Sequence, residues 1–172
     1  MASVGEQAWA ITTLVEAADL LAGEAERRLK EQVGLSLAEK EVLFRISLAG
    51  GSMRMAELAQ ALLFTAGGAT RIVDRMVRAG LVDRDQVDGD RRATLVVITR
   101  AGRRHFAKAG PVMEGVVREL VEPYVTDDDV AELTRILSKI VVGSGRWTDR
   151  ATGREFERSI RQVGQPSVRT RP

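Results

Sequence analysis

Arginine is the residue through which this chain is best equipped to act. Residues 65–108 hold ten basic and five acidic side chains, a local charge of +5 in a chain whose net charge is +2. Arg71, Arg75 and Arg78 recur at helical spacing, and Arg91-Arg92 come soon after Asp88-Gly89. That dipeptide signals a hairpin turn, because glycine tolerates the positive φ such turns require. The flanking body segments are acidic, −3 over residues 1–34 and −4 over 109–142, while the tail 143–172 carries +4. A field concentrated in this way suits a polyanion. On charge alone, a solvated face accounts for it too.

Other chemistries have little to work with. There is no cysteine, which excludes a disulfide framework, a thiolate metal site, a thiol nucleophile and a thiol-based redox sensor. The single histidine, His105, has no second histidine for a metal cluster or a proton relay. It lies between charged residues and reads as solvated or near a phosphate. Asp127-Asp128-Asp129 resembles a metal cluster only superficially. Consecutive residues at a helix start point different ways, and acids there are explained by the helix dipole. No P-loop, dinucleotide fingerprint, nucleophile elbow, zinc-protease motif or EF-hand loop occurs. The expectation is no enzyme, no catalytic residue, no cofactor and no metal.

With 44% hydrophobic and 29% charged residues, 172 residues suffice for one ordinary domain with a core, or one domain and a tail. The opening segment has acids, no basic start and no unbroken apolar run. It is read as neither a signal peptide nor a membrane span, so a cytoplasmic protein is expected.

The elements that must position the arginines can be traced from start and stop signals. Residues 6–32 read as one helix with an apolar stripe at Ala10, Leu14, Ala17, Leu21 and Ala25, stopped by Gly34. Ser36-Leu37-Ala38-Glu39 is a capping box that opens a second helix burying Val42, Leu43 and Ile46 before Gly50-Gly51. Ser52–Arg54 is extended. A short helix over 55–63 turns Leu58, Ala59 and Leu62 inward. Thr65 caps a helix to Ala79, closed by Gly80, whose buried stripe is Ala69, Ile72, Val73 and Met76. Residues 81–86 and 94–99 form a hairpin. Thr99 caps a helix to about residue 122, with a bend expected at Pro111. A last helix starts at Thr126 and has an apolar face of Val130, Leu133, Ile136, Leu137, Ile140 and Val141. In the tail, residues 150–162 suit a short helix and Pro166–Pro172 should be disordered. Trp147 there suits packing on the body or stacking on a partner equally well.

Two short helices and a tight turn followed by a basic hairpin outline a winged helix-turn-helix. In such a unit residues 55–63 cross the phosphate backbone and residues 65–79 enter the major groove. The hairpin tip reaches the neighbouring minor groove, where an arginine gains from the enhanced negative potential of a narrow stretch.

The run from Leu35 to Thr99 resembles the MarR family of bacterial transcriptional regulators. The matching pieces are LSLAEKEVL (35–43), MAELAQALLF (55–64), TRIVDRMVRAGLVDR (70–84), Asp90-Arg91-Arg92, and LVVITRAG (95–102). The order of elements agrees over about residues 6–142. The resemblance implies a mainly α fold with a small β-hairpin wing. Dimerisation helices at 1–34 and 109–142 would flank a DNA-binding lobe at 35–108, with a basic, partly disordered tail at 143–172. It implies a homodimer on a palindromic double-stranded operator, repression relieved by a small-molecule effector, and no membrane.

Carried over by position, Arg92 matches the arginine placed in the minor groove, with Arg91 beside it. Asp90 matches the acid that holds the wing in shape. Arg71 matches a position near phosphates or bases, with Thr70 next to it. Asp74 and Arg75 match a pair that braces the helix against the wing, although Arg75 also counts as a DNA contact. The resemblance puts an effector cavity between the dimer helices and the lobe, which makes Trp9 and Phe44 its candidate lining; plain core is the competing reading. The chain departs from the family at Ala66-Gly67-Gly68-Ala69, where many relatives carry polar side chains. Few side chains are left there to read bases. Gly67 and Gly68 cost helix stability, about 1 kcal/mol each, but let the backbone approach a phosphate, so Thr65, Thr70, Arg71 and DNA shape must carry more of the recognition. Two alternatives stay open: an activator of the same fold, or a winged-helix protein-interaction module that uses the tail.

Overall fold

The computed structural model describes residues 3–62, 66–87 and 90–143; for residues 66, 87, 90–92, 141 and 142 it describes the backbone only. The order is α1 (Val4–Val33), α2 (Leu37–Leu48), β1 (Ser52–Arg54), α3 (Met55–Ala61), α4 (Ala66–Arg78), β2 (Val82–Val87), β3 (Asp90–Ile98), α5 (Arg100–Leu120) and α6 (Asp127–Gly143). The three strands form one antiparallel sheet in the order β1-β3-β2. This is the mainly helical fold with a small wing that the sequence implied.

Local signals set most boundaries. The Ser36–Glu39 box forms: the Ser36 hydroxyl accepts from the Glu39 amide at 3.1 Å, and the Glu39 carboxylate accepts from the Ser36 amide at 2.9 Å. A second box, Ser3 with Glu6, starts α1 two residues earlier than the apolar pattern indicated. Past the end of α4, Gly80 takes φ 68°, a left-handed conformation that a side chain would strain. Its amide donates to the Val77 carbonyl, and the Leu81 amide donates to the Met76 carbonyl. Leu81 therefore belongs to the turn, and the strand starts one residue later than expected.

Thr99 does more than cap α5. Its hydroxyl accepts from the Gly102 amide at 2.9 Å and donates to the Gly80 carbonyl at 2.7 Å, while its own amide donates to the Leu81 carbonyl at 3.1 Å. One side chain thus ties the start of α5 to the end of α4. Gly102 permits that closeness, since a Cβ there would overlap the Leu81 carbonyl oxygen. Pro111 lies inside α5, which continues as one helix to Leu120. At the start of α6 the carboxylate of Asp129 accepts from the Thr126 amide and hydroxyl, an acid used as a cap.

A single core joins the elements. Leu29 and Val33 from the end of α1, Leu35, then Val42, Leu43 and Ile46 of α2, Leu58 of α3, Val73 and Met76 of α4, Val82 and Val96 of the sheet, and Ala109 and Val112 of α5 pack in one cluster. Ile72, expected in the buried stripe of α4, sits partly buried at its edge. The rest of the apolar surface is outside. Trp9, Ile11, Val15 and Leu20 of α1 and Val130, Leu133, Ile136 and Ile140 of α6 are exposed. Only Ala25, Leu29 and Val33 of α1 are buried, although α1 lies along α5, and among the described residues α6 has no extended packing against any element. Among the described residues no helix is long and apolar enough to cross a membrane.

Candidate nucleic-acid interface

Helix α4 buries Ala69, Val73 and Met76 and turns Gly67, Thr70, Arg71, Arg75 and Arg78 to the solvent. Its position is fixed by two ion pairs as well as by the core. Asp74 meets Arg84 of β2 at 2.6 Å, so the expected brace between helix and wing is made by this acid with a partner the sequence did not indicate. Arg75 turns the other way and donates through Nε to Glu39 of α2 at 2.7 Å. Arg75 thus braces α4 against α2, not against the wing. Arg71 has no ion pair or hydrogen bond among the described residues.

Glu39 was legible only as half of a cap. Among the described residues it is the buried acid, 8% exposed. Burial pushes its carboxyl up, but hydrogen bonds from the Ser36 amide, the Arg75 guanidinium and the Ser36 hydroxyl outweigh this and hold it below the usual carboxylate range. Nothing in the periodicity of α2 signalled the partnership, because residues 39 and 75 meet only through tertiary packing.

The wing is an antiparallel hairpin of β2 and β3. Pairing runs from Val82 opposite Ile98 to Gln86 opposite Thr94, and then the register slips, so that Val87 faces Asp90. Arg91, Arg92 and Ala93 fall in the slip and have no partner among the described residues across the hairpin. Such bulges bend and twist a strand. The side chains of Asp90, Arg91 and Arg92 lie outside the described residues, as do all of Thr65, the Asp88-Gly89 turn and the tail from residue 144 with Trp147 and its expected short helix.

Gly67 and Gly68 form the start of α4. A Cβ at Gly67 would meet nothing within 4 Å, so packing does not require glycine there. Of the candidate cavity residues, Phe44 is 7% exposed and tilts against Phe106 at 6.3 Å, with the Lys40 ammonium 5.0 Å from its ring centre. Trp9 is 73% exposed, so a cavity lined by it needs a wall from beyond the described residues. His105 is half-buried rather than solvated, and its Nδ1 has no hydrogen-bond partner among the described residues.

A helix pair that ends in an exposed, arginine-bearing helix and continues into a β hairpin defines a winged helix-turn-helix protein, a class that binds duplex DNA. Comparison with known proteins points to one family. The MarR family sequence model matches residues 33–93. AbsC, a MarR family transcriptional regulator from Streptomyces coelicolor, is 28% identical with a TM-score of 0.74, over 86% of this chain and 99% of its own. Two further structures share the fold. Sco3205, a MarR family regulator from Streptomyces coelicolor solved in complex with DNA, is 24% identical with a TM-score of 0.73, over 88% of this chain and 94% of its own. The organohalide-sensing regulator RdhR-CbdbA1625, solved with 2,4-dichlorophenol bound, is 20% identical with a TM-score of 0.68, over 83% and 82%. No curated protein sequence matches the chain. Residues 33–93 thus match the MarR family, and over most of its length the chain is similar in fold to MarR family transcriptional regulators.

Proposed function

We propose that two copies of this chain bind a palindromic operator and repress transcription until a small molecule releases them. The observation that carries the reading is Arg71, exposed on α4 without a partner among the described residues, on a helix braced from both sides by Glu39 and Arg84. A cation that no described acid neutralises, on a helix tied at both sides, fits a phosphate-facing role. The DNA-bound structure of Sco3205 supports the same use of the fold.

In this reading residues 35–108 form the DNA-binding lobe, and residues 1–34 and 109–142 form the dimer arms. The exposed apolar residues of α1 and α6 are what supports pairing, since monomers rarely leave such faces uncovered. Two α4 helices then enter major grooves about 34 Å apart. Thr65, Thr70 and Arg71 serve the major groove, with the amides of Gly67 and Gly68 at a phosphate, and Arg91 and Arg92 serve the minor groove, with Asp90 shaping the wing. An effector that prefers a dimer with different helix spacing weakens binding by shifting the population. The phenol-bound relative supports a small-molecule effector, and Trp9 and Phe44 remain its candidate contacts. Action on DNA in the cytoplasm follows from this role.

The test is binding to the DNA upstream of the chain's own coding sequence, with Arg92→Ala and Arg71→Ala. Each should weaken binding by a factor corresponding to about 1–3 kcal/mol. Loss of Arg71 should also lower the slope of log K against log salt by about 0.9 for each bound copy, about 1.8 for the dimer. Undiminished affinity in both variants refutes the assignment.

A further inference from the structure

We propose that Glu39 is a positioning residue for DNA binding: from α2 it holds Arg75 of the recognition helix by Nε, so that the outer nitrogens of the guanidinium are presented in a fixed direction to a phosphate. The inference rests on the DNA-binding reading and adds to it a residue outside α4 and the wing.

The chain itself supplies the contrast that separates this role from capping. Glu6 makes the same box with Ser3 and is exposed, so capping needs neither burial nor an arginine. Glu39 is buried to 8% exposure, a costly place for a carboxylate unless it is paired. Its two oxygens have separate tasks. Oε2 accepts from the Ser36 amide and hydroxyl, at 2.9 and 3.0 Å, and Oε1 is left to Arg75 at 2.7 Å. Among the described residues Arg75 is bonded only through Nε, and its side chain is 54% exposed, which leaves the two terminal nitrogens without a described partner. Arg71, one turn earlier on the same face of α4, is also exposed. A free arginine must freeze its long side chain on meeting a phosphate, whereas one tethered at Nε has lost much of that freedom already.

The sign of the effect is diagnostic. Removing an acid near DNA strengthens binding if only long-range charge matters. Loss of a tether weakens it. Glu39→Gln keeps an oxygen for the Ser36 cap and turns an amide NH2 toward Arg75, so the cap survives and the tether does not.

The experiment uses the full chain and a duplex selected on the wild-type protein from a randomised pool, with affinity measured across a salt series. Glu39→Gln should weaken binding about tenfold with an unchanged salt slope, because the cation is still present. Arg75→Ala should weaken it at least as much and lower the slope by about 0.9 for each bound copy. Arg75→Lys should keep the slope but not the affinity, since one ammonium cannot serve both acid and phosphate. In the Arg75→Ala background, Glu39→Gln should change affinity no further. A neutral or tighter Glu39→Gln, an effect that persists without Arg75, or an Arg75→Ala protein with wild-type affinity and slope overturns the proposal. If the wild type enriches no duplex, the DNA-binding reading falls first; if it does and Arg92→Ala weakens it while Glu39→Gln does not, only this inference falls.

Discussion

The lobe and the arms use the same kinds of apolar residue and come out differently. In the lobe, α2, α3, α4, the sheet and the first half of α5 enclose Val42, Leu43, Leu58, Val73, Met76 and Val96 completely. In the arms, Val130, Leu133, Ile136 and Ile140 of α6 and Trp9, Ile11, Val15 and Leu20 in the first half of α1 stay exposed among the described residues. Helical periodicity identifies a face that will be buried but not the molecule that buries it. The lobe is complete in one copy, and its polar exterior is free to meet another kind of molecule. The arms are unfinished, and a second copy is the partner proposed for them.

The largest expected effect comes from attacking the arms. Leu133→Asp with Ile140→Asp puts two charges on the proposed dimer face, where each unpaired buried charge costs several kcal/mol. Sedimentation should then show monomers at concentrations where the wild type is dimeric, and operator affinity should collapse while the lobe stays folded. A wild type that is monomeric throughout breaks the comparison.

A smaller effect is expected inside the lobe. Gly102→Ala forces a methyl group into the Leu81 carbonyl where Thr99 draws α5 against the end of α4. Overpacking of this kind costs about 1–3 kcal/mol, to be read as a lowered urea midpoint. An unchanged midpoint would mean that the junction yields easily.

The smallest effect is also the one with opposite signs. Gly67→Ala meets no neighbour and improves helix propensity, so it should stabilise the chain by up to about 1 kcal/mol in urea unfolding. The same methyl group should weaken DNA binding if the backbone comes close to a phosphate there. Gain of both stability and affinity would remove that role from Gly67.

The fold was largely legible because its boundaries are local. Ser36 with Glu39, Gly34, Gly80 and Thr99 each act over three or four residues, and each stands where the chain order placed it. The start of α1 was missed because Ser3-Glu6 caps a first turn with no apolar stripe to announce it. The site was legible as far as its arginines, since cations exposed on α4 follow from the spacing of its buried residues. Their partners were not. Asp74 was read as a brace, yet Arg84 as its partner needed the helix laid on the strand. Arg75 was expected to face the wing and faces α2. Trp9, weighed as cavity lining beside Phe44, stands in the open in a single chain.

Composition and short-range pattern therefore determined the element order, the absence of thiol chemistry, and the placing of positive charge between two acidic segments. Capping, helical period and turn chemistry act between near neighbours, so they are written in the order of residues. Only the tertiary structure decided which acids neutralise which arginines, which apolar faces remain exposed, and that an acid read as a cap also pairs with Arg75 of α4. Those outcomes depend on distances between residues far apart in the chain, and packing alone sets such distances.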